Sequence, residues 1–197
     1  MTIATLRVGS IAVALLLALS APAMAAGEHE PMMKDLAASE VKPWLANDAI
    51  VAAVKAQNAK NAGLTQADID ALDKTWRAEA KAGGGAMISA VLGNALSAYL
   101  SERKAASAGM FTEIFVMDAK GLNVGQSDVT SDYWQGDEAK WQKTFLVGAN
   151  GIDISAVETD ESTQTLQSQL SLPIVDPANC DVIGAVTVGV NVEMLGG

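Results

Sequence analysis

The chain has 197 residues, a net charge of −10 and a single cysteine. Its length suits one domain with a sizeable core. The acidity disfavours nucleic acid and anionic membrane as partners, since both demand basic patches, and a lone Cys180 forms no internal disulfide, so packing alone must hold the fold.

Arg7, the apolar run Ile11 to Leu19 and the small-residue stretch Ala21-Pro-Ala-Met-Ala25 stand in the order of a secretory signal peptide. The run is well short of the ~20 residues a membrane-spanning helix needs. Cleavage is expected after Ala25, an uncleaved N-terminal anchor being the alternative, and no cysteine follows to support lipid attachment. The mature chain is expected to be exported to a periplasm, soluble, and without membrane insertion after cleavage. Residues 26–33 are polar, contain Pro31, and read as a loose arm. His29 sits there and reads as solvated rather than as a metal ligand.

Helical spacing dominates the next third. Pro43 suits the first turn of a helix that carries Leu45, Ile50, Val51 and Val54 and ends at Gly63. Thr65 and Asp68 form a capping box for a second helix with Ile69, Leu72 and Trp76 on one stripe. Gly83-Gly84-Gly85 then breaks the chain. A phosphate-cradling loop would need a preceding strand and a following Lys-Ser/Thr, whereas here Ala86-Met-Ile follows and a helix precedes, so the triplet reads as a joint. A third helix is expected from Ala86 to Ala105, with Ile88, Leu92, Leu96 and Tyr99/Leu100 along its face.

After Gly109 the period changes to two. Phe111 to Asp118 reads as a strand, with Phe111, Glu113, Phe115 and Met117 on one face and Thr112, Ile114 and Val116 on the other. Asp118-Ala-Lys-Gly121 is a tight turn and Leu122 to Ser127 the returning strand. Leu166 to Val175 is a further strand, with Leu170, Leu172 and Ile174 opposite Gln167, Gln169 and Ser171, and Pro173 marks an edge or bulge. Asp181 to Glu193 is apolar or small on both faces and reads as a central strand, in which Gly184 and Gly189 allow close approach. Helices first and about five antiparallel strands after them define an α+β domain with the helices segregated to one face.

The long helix followed by Glu113-Ile-Phe-Val-Met-Asp118-Ala-Lys-Gly121, and the final Ile183-Gly-Ala-Val-Thr-Val-Gly189-Val, resemble the opening hairpin and closing strand of Cache (PDC) extracellular sensor domains. The resemblance implies a PAS-like five-stranded antiparallel sheet packed by N-terminal helices. It also implies a small ligand between the sheet and its covering loops, and a membrane-bound kinase or chemoreceptor as the receiving partner. The family's amino-acid-recognition pattern of an Arg and a Trp-Tyr pair is not matched here residue by residue. On this reading residues 1–25 are the leader, 26–85 an arm with helices, and 86–197 the Cache/PAS-like domain.

The chemistry concentrates in Thr130 to Trp141. The chain is only 5 % aromatic, yet this segment holds two of its four Trp and one of its two Tyr, among Asp132, Asp137 and Glu138. Rings beside carboxylates on a loop held by a sheet are material for a small-molecule pocket. Asp128-x-Thr130-x-Asp132 starts like a calcium loop, but Tyr133 stands where that loop needs Gly, and Ala139 where it needs Glu. Asp137 is expected to cap a short helix carrying Trp141.

The remaining polar groups and rings are ligand candidates. Asp128 and Asp132 would pair an ammonium, Tyr133 and Trp134 would stack on the ligand, and Gln126 and Ser127 would supply neutral hydrogen bonds. Phe115 and Trp141 complete the candidate contacts. Tyr133→Ala and Asp132→Ala are expected to abolish binding with stability within ~1 kcal/mol of wild type. With the only His in the arm and the only Cys in a turn, no enzyme, metal site or cofactor is expected. A ligand-free module that docks on an envelope protein is the alternative.

Overall fold

The computed structural model describes residues 29–159 and 165–196, and the expected leader lies outside them. Among these residues the helices are α1 (Glu30–Leu36), α2 (Lys42–Leu45), α3 (Asp48–Asn61), α4 (Gln66–Lys81), α5 (Ala86–Leu92), α6 (Ala95–Ala106) and α7 (Ala139–Gln142). A π-helical turn, Ala37–Val41, joins α1 to α2, and a 3-10 turn, Val192–Met194, follows the last strand. The strands are β1 (Phe111–Met117), β2 (Asn123–Gln126), β3 (Asp153–Ile154), β4 (Glu158–Thr159), β5 (Leu166–Val175) and β6 (Val182–Asn191).

The sheet runs β2-β1-β6-β5-β3, with β4 also on β5, and all pairings are antiparallel. The last strand is therefore central, as its two apolar faces require. Gly184 matters here, because a Cβ would meet the Met117 carbonyl oxygen. Ile114, Val116, Leu170, Leu172, Ile174, Val186, Val188 and Val190 form one face and pack on Met33, Val41, Trp44, Ile50, Val54, Leu96 and Leu100 from the helices. Each such fully buried side chain stabilises by about 1.5–3 kcal/mol. A second cluster joins α4 and α5 to the hairpin through Ile69, Trp76, Ile88, Leu122 and Tyr133. On the opposite face, among the described residues, Phe115, Met117 and Ala185 form a small apolar cluster, with Trp141 against it.

Five local expectations are corrected. From His29 onward the arm is helix: Met33, Ala37 and Val41, four residues apart, are a buried stripe on the sheet. His29 itself is buried, its Nε2 donating to the Ser155 carbonyl at 3.1 Å. Pro43 belongs to the short α2, directly after the π-helical turn; proline cannot donate to a helical ladder, and the bulge absorbs the break. The helix beyond it is capped by Asn47, whose Oδ1 accepts from Ala49 N at 2.8 Å.

The predicted helix 86–105 divides at Gly93-Asn94. Asn94 Oδ1 caps α6 through Ser97 N at 2.8 Å, and its Nδ2 donates to the Val124 carbonyl at 2.8 Å, tying the break to β2. In β1, a bulge between Phe111 and Glu113 shifts Phe111 to the helix-covered face, while Glu113, Phe115 and Met117 keep theirs. The Thr65–Asp68 capping box is present.

Candidate functional site

The turn between β1 and β2 is built around Asp118. Its buried carboxylate accepts from Lys120 N (2.8 Å) and Leu122 N (3.0 Å), and from Gln57 Nε2 (3.1 Å) and Asn61 Nδ2 (2.8 Å) of α3. Gly121 adopts φ +81°, and a Cβ there would meet the backbone of Gly136 at 2.6 Å. That close approach lets 133–135 run alongside the hairpin, with Asn123 N donating to Tyr133 O at 3.0 Å and Gln135 N to Gly121 O at 2.8 Å.

Helix α4 clamps the same loop. Asp73 Oδ1 accepts from Tyr133 N (2.9 Å) and Trp134 N (3.1 Å), and Trp76 Nε1 donates to Thr130 O at 2.8 Å. Arg77 links Asp73 to Asp132, at 2.5 and 2.9 Å. Asn123 Nδ2 adds bonds to Thr130 Oγ1 (2.9 Å) and Asp132 O (3.1 Å) from beneath. The loop is fixed by a helix face and a strand end, the rigid mounting a binding loop needs.

Between this loop, β1 and β5 lies a cavity of about 220 Å3. Phe115 is at its apolar side; Thr112, Glu113 and Gln169 come from the strands, and Asp128, Thr130, Asp132 and Gln135 from the loop. Lys104 of α6 and Lys140 of α7 also reach it. Its charges pair among themselves or with neighbours. Lys104 Nζ contacts both Asp128 oxygens at 2.6 and 2.7 Å, and Lys140 holds Glu138 at 2.8 Å while lying 5.5 Å from the Phe115 ring centroid. Gln169 Nε2 donates to Glu113 Oε1 at 2.8 Å. Carboxylates and ammonium groups thus surround one small space and can exchange their partners for a ligand carrying both charges.

Of the predicted contacts, Phe115, Asp128 and Asp132 are brought together at this cavity. Ser127 is adjacent, its Oγ bonded to Asp128 Oδ2 at 2.6 Å and to Ile114 N at 2.8 Å, and Gln126 is fully buried. Tyr133 and Trp134 turn away. Tyr133 stacks on Trp76, centroids 5.4 Å apart, and Trp134 Nε1 donates to Lys120 O at 2.9 Å. Burial first, and the nearby Asp118 charge second, push the Tyr133 phenol up to about 12.

Tyr133 is only 8 % exposed, so the expected ~1 kcal/mol ceiling on its replacement by Ala is corrected: its ring is part of a core cluster. Trp141 packs on Phe115 and Met117 and donates to the Asp118 carbonyl at 3.2 Å. The cap residue of α7 is Glu138, not Asp137, and it makes no capping hydrogen bond, because its carboxylate goes to Lys140.

Sequence reasoning missed Lys104, Glu113, Lys140 and Gln169. Glu113 carried a signal as a charge on the β1 face it shares with Phe115 and Met117, and Gln169 as a member of the polar face of β5 with Gln167 and Ser171. Among the described residues no His/Cys/Asp/Glu cluster could hold a metal ion, and no helix is long and apolar enough to cross a membrane.

No family profile and no curated protein matches the chain. Among solved structures it is similar to the sensor domain of the V. cholerae histidine kinase DctB, at 12 % identity over 83 % of this chain and 55 % of that one, TM-score 0.41. The ligand-binding domain of the Campylobacter jejuni chemoreceptor Tlp3 in complex with L-norvaline matches at 17 % identity over 53 % and 41 %, TM-score 0.38. The E. coli DcuS sensor domain matches at 17 % identity over 64 % and 92 %, TM-score 0.37. The chain spans about half the length of the first two. These are Cache (PDC) type sensor domains, the family the sequence resembles. The fold class itself rests on the strand order and helical layer of this chain, not on those likenesses.

Proposed function

We propose that the chain is an exported sensor domain that binds a small zwitterionic metabolite in the loop-side cavity and reports it to a membrane-bound kinase or chemoreceptor. The observation that carries this reading is the convergence of Lys104 and Lys140 with Glu113, Asp128 and Asp132 on one cavity of about 220 Å3. That is below the ~300–1,000 Å3 of drug-sized sites and suits a molecule of free-amino-acid size. In this reading Lys104 and Lys140 take the ligand carboxylate, Asp128 and Asp132 its ammonium, and Phe115 its apolar part. A thermal-shift panel of free amino acids, small dicarboxylates and amines tests it. A ligand at ~100-fold its dissociation constant adds about 2.7 kcal/mol of stability, and a panel without any shift overturns the reading.

A second reading, docking without a small ligand, is favoured by Leu146 and Val147, 63 % and 64 % exposed just after α7. Adjacent exposed apolar side chains are material for a protein contact. Co-purification with a membrane sensor that is lost on Leu146→Ser/Val147→Ser, together with a silent metabolite panel, would decide for it.

A further inference from the structure

A larger cavity lies on the other side of the sheet. It measures about 580 Å3 and opens between α1, the π-helical turn, the end of α6 and the C-terminal segment. Its apolar walls are Met32, Leu36, Trp44, Met110, Phe111 and Leu195. Phe111 belongs to the helix-side cluster and Phe115 to the loop-side one, so the two cavities are separated by the sheet.

The backbone around it is unusual in two places. The π-helical turn Ala37–Val41 presents Ser39 and Glu40 to the cavity, and single π turns inside helices concentrate at functional sites. Ala108, between the wall residues Ser107 and Met110, holds φ +52°, a conformation that costs a residue with a side chain free energy and is retained where the surroundings impose it.

The charges are asymmetric. Among the described residues the Asp35 and Glu40 side chains at the rim make no ion pair or hydrogen bond. Arg103, the rim cation among the described residues, is turned to Tyr99: its Nε donates to Tyr99 Oη at 3.0 Å and its guanidinium lies 5.3 Å from the Tyr99 ring centroid. Open carboxylates, an aromatic pair and polarizable thioethers together suit a positive charge on a greasy frame. The volume falls in the ~300–1,000 Å3 range of small-molecule sites.

We propose that this helix-side cavity is a second binding site, for an organic cation with an apolar body, an alkyl or aryl amine or quaternary ammonium. It does not rest on the loop-side reading. Methionine, leucine, Trp44 and Phe111 cover the apolar body, and Asp35 and Glu40 hold the cationic head within reach of solvent.

The test uses two probes of equal chain length and opposite charge, octyltrimethylammonium and octanoate. Each is titrated against the protein by calorimetry, with methionine methyl NMR to locate the site. The cation is expected to saturate one site and shift the Met32, Met110 and Met194 methyls, while octanoate binds at least about tenfold more weakly. Asp35→Asn/Glu40→Gln should weaken the cation about tenfold with an unchanged melting curve, and Arg103→Gln should tighten it. Equal or stronger octanoate binding, shifts confined to other methyls, or a double variant that binds the cation as wild type does would each overturn the proposal.

Discussion

The two faces of the central sheet are built from alternate residues of the same strands, yet they are finished differently. On one face Ile114, Val116, Leu172, Val186 and Val188 meet helical side chains and are fully or almost fully buried. On the other, Glu113, Gln169, Ser171 and Thr187 intervene among Phe115, Met117 and Ala185, and a loop rather than a helical layer covers them. A polar group under cover must be paired or it costs about 1–3 kcal/mol, so the loop face carries hydrogen-bonded pairs and a small polar cavity where the helix face carries packing. Stability therefore resides on the helix face and in the α4 clamp, and the proposed zwitterion site lies on the loop face.

The sharpest way to break that division is Trp76→Ala. The indole is fully buried and bonded to the loop carbonyl of Thr130 at 2.8 Å, and its loss is expected to cost about 3–5 kcal/mol in chemical denaturation. A cost under about 1 kcal/mol would show that the clamp does not hold the fold.

Tyr133 tests the same boundary through pH. Its phenol is pushed up to about 12 by burial, above the unfolded value near 10. The folded state keeps this proton longer than the unfolded state, so the contribution is complete below pH ~10 and is lost as pH rises toward ~12. Wild type should lose about 3 kcal/mol through this group over that window, at about 1.36 kcal/mol per unit. Tyr133→Phe should lose correspondingly less, and identical alkaline melting curves would place the ring in solvent.

On the acid side, Asp176 at the end of β5 is held below its ordinary value, first by its hydrogen bond from Lys55 of α3 and then by Ala178 N. Its contribution is present above the unfolded value and is lost as pH falls through the folded one. Lys55→Met should flatten that acid limb of the stability profile; an unaltered limb would mean the tie is idle. The smallest effect on stability belongs to Asp128→Asn, an exposed partner of Lys104. It should leave stability within about 0.5 kcal/mol while weakening ligand binding at least tenfold.

Much of this fold was legible because period-two and helical spacing report burial directly. β5 has the expected bounds, the Thr65 capping box formed, and the valine-rich last strand is central. What escaped was set by tertiary contacts. Asn94 looks like any helical asparagine until the Val124 carbonyl is placed beside it. His29 looks solvated until the Ser155 carbonyl is placed beside it to accept its hydrogen bond. The candidate loop was legible as a segment but not by side chain. Which way Tyr133 and Trp134 point depends on Asp73 and Trp76, some 55–60 residues earlier, and on the Gly121–Gly136 contact. Lys104 could not be read at all, since only the packing of α6 on β1 brings it to Asp128.

The most direct test of the division is a calorimetric titration of the free amino acid that gives the largest thermal shift, against wild type, Lys140→Met and Tyr133→Phe. Lys140→Met is expected to weaken binding at least tenfold, while Tyr133→Phe binds within about twofold of wild type. Equal losses in both variants, or binding unaffected by Lys140→Met, would contradict that division.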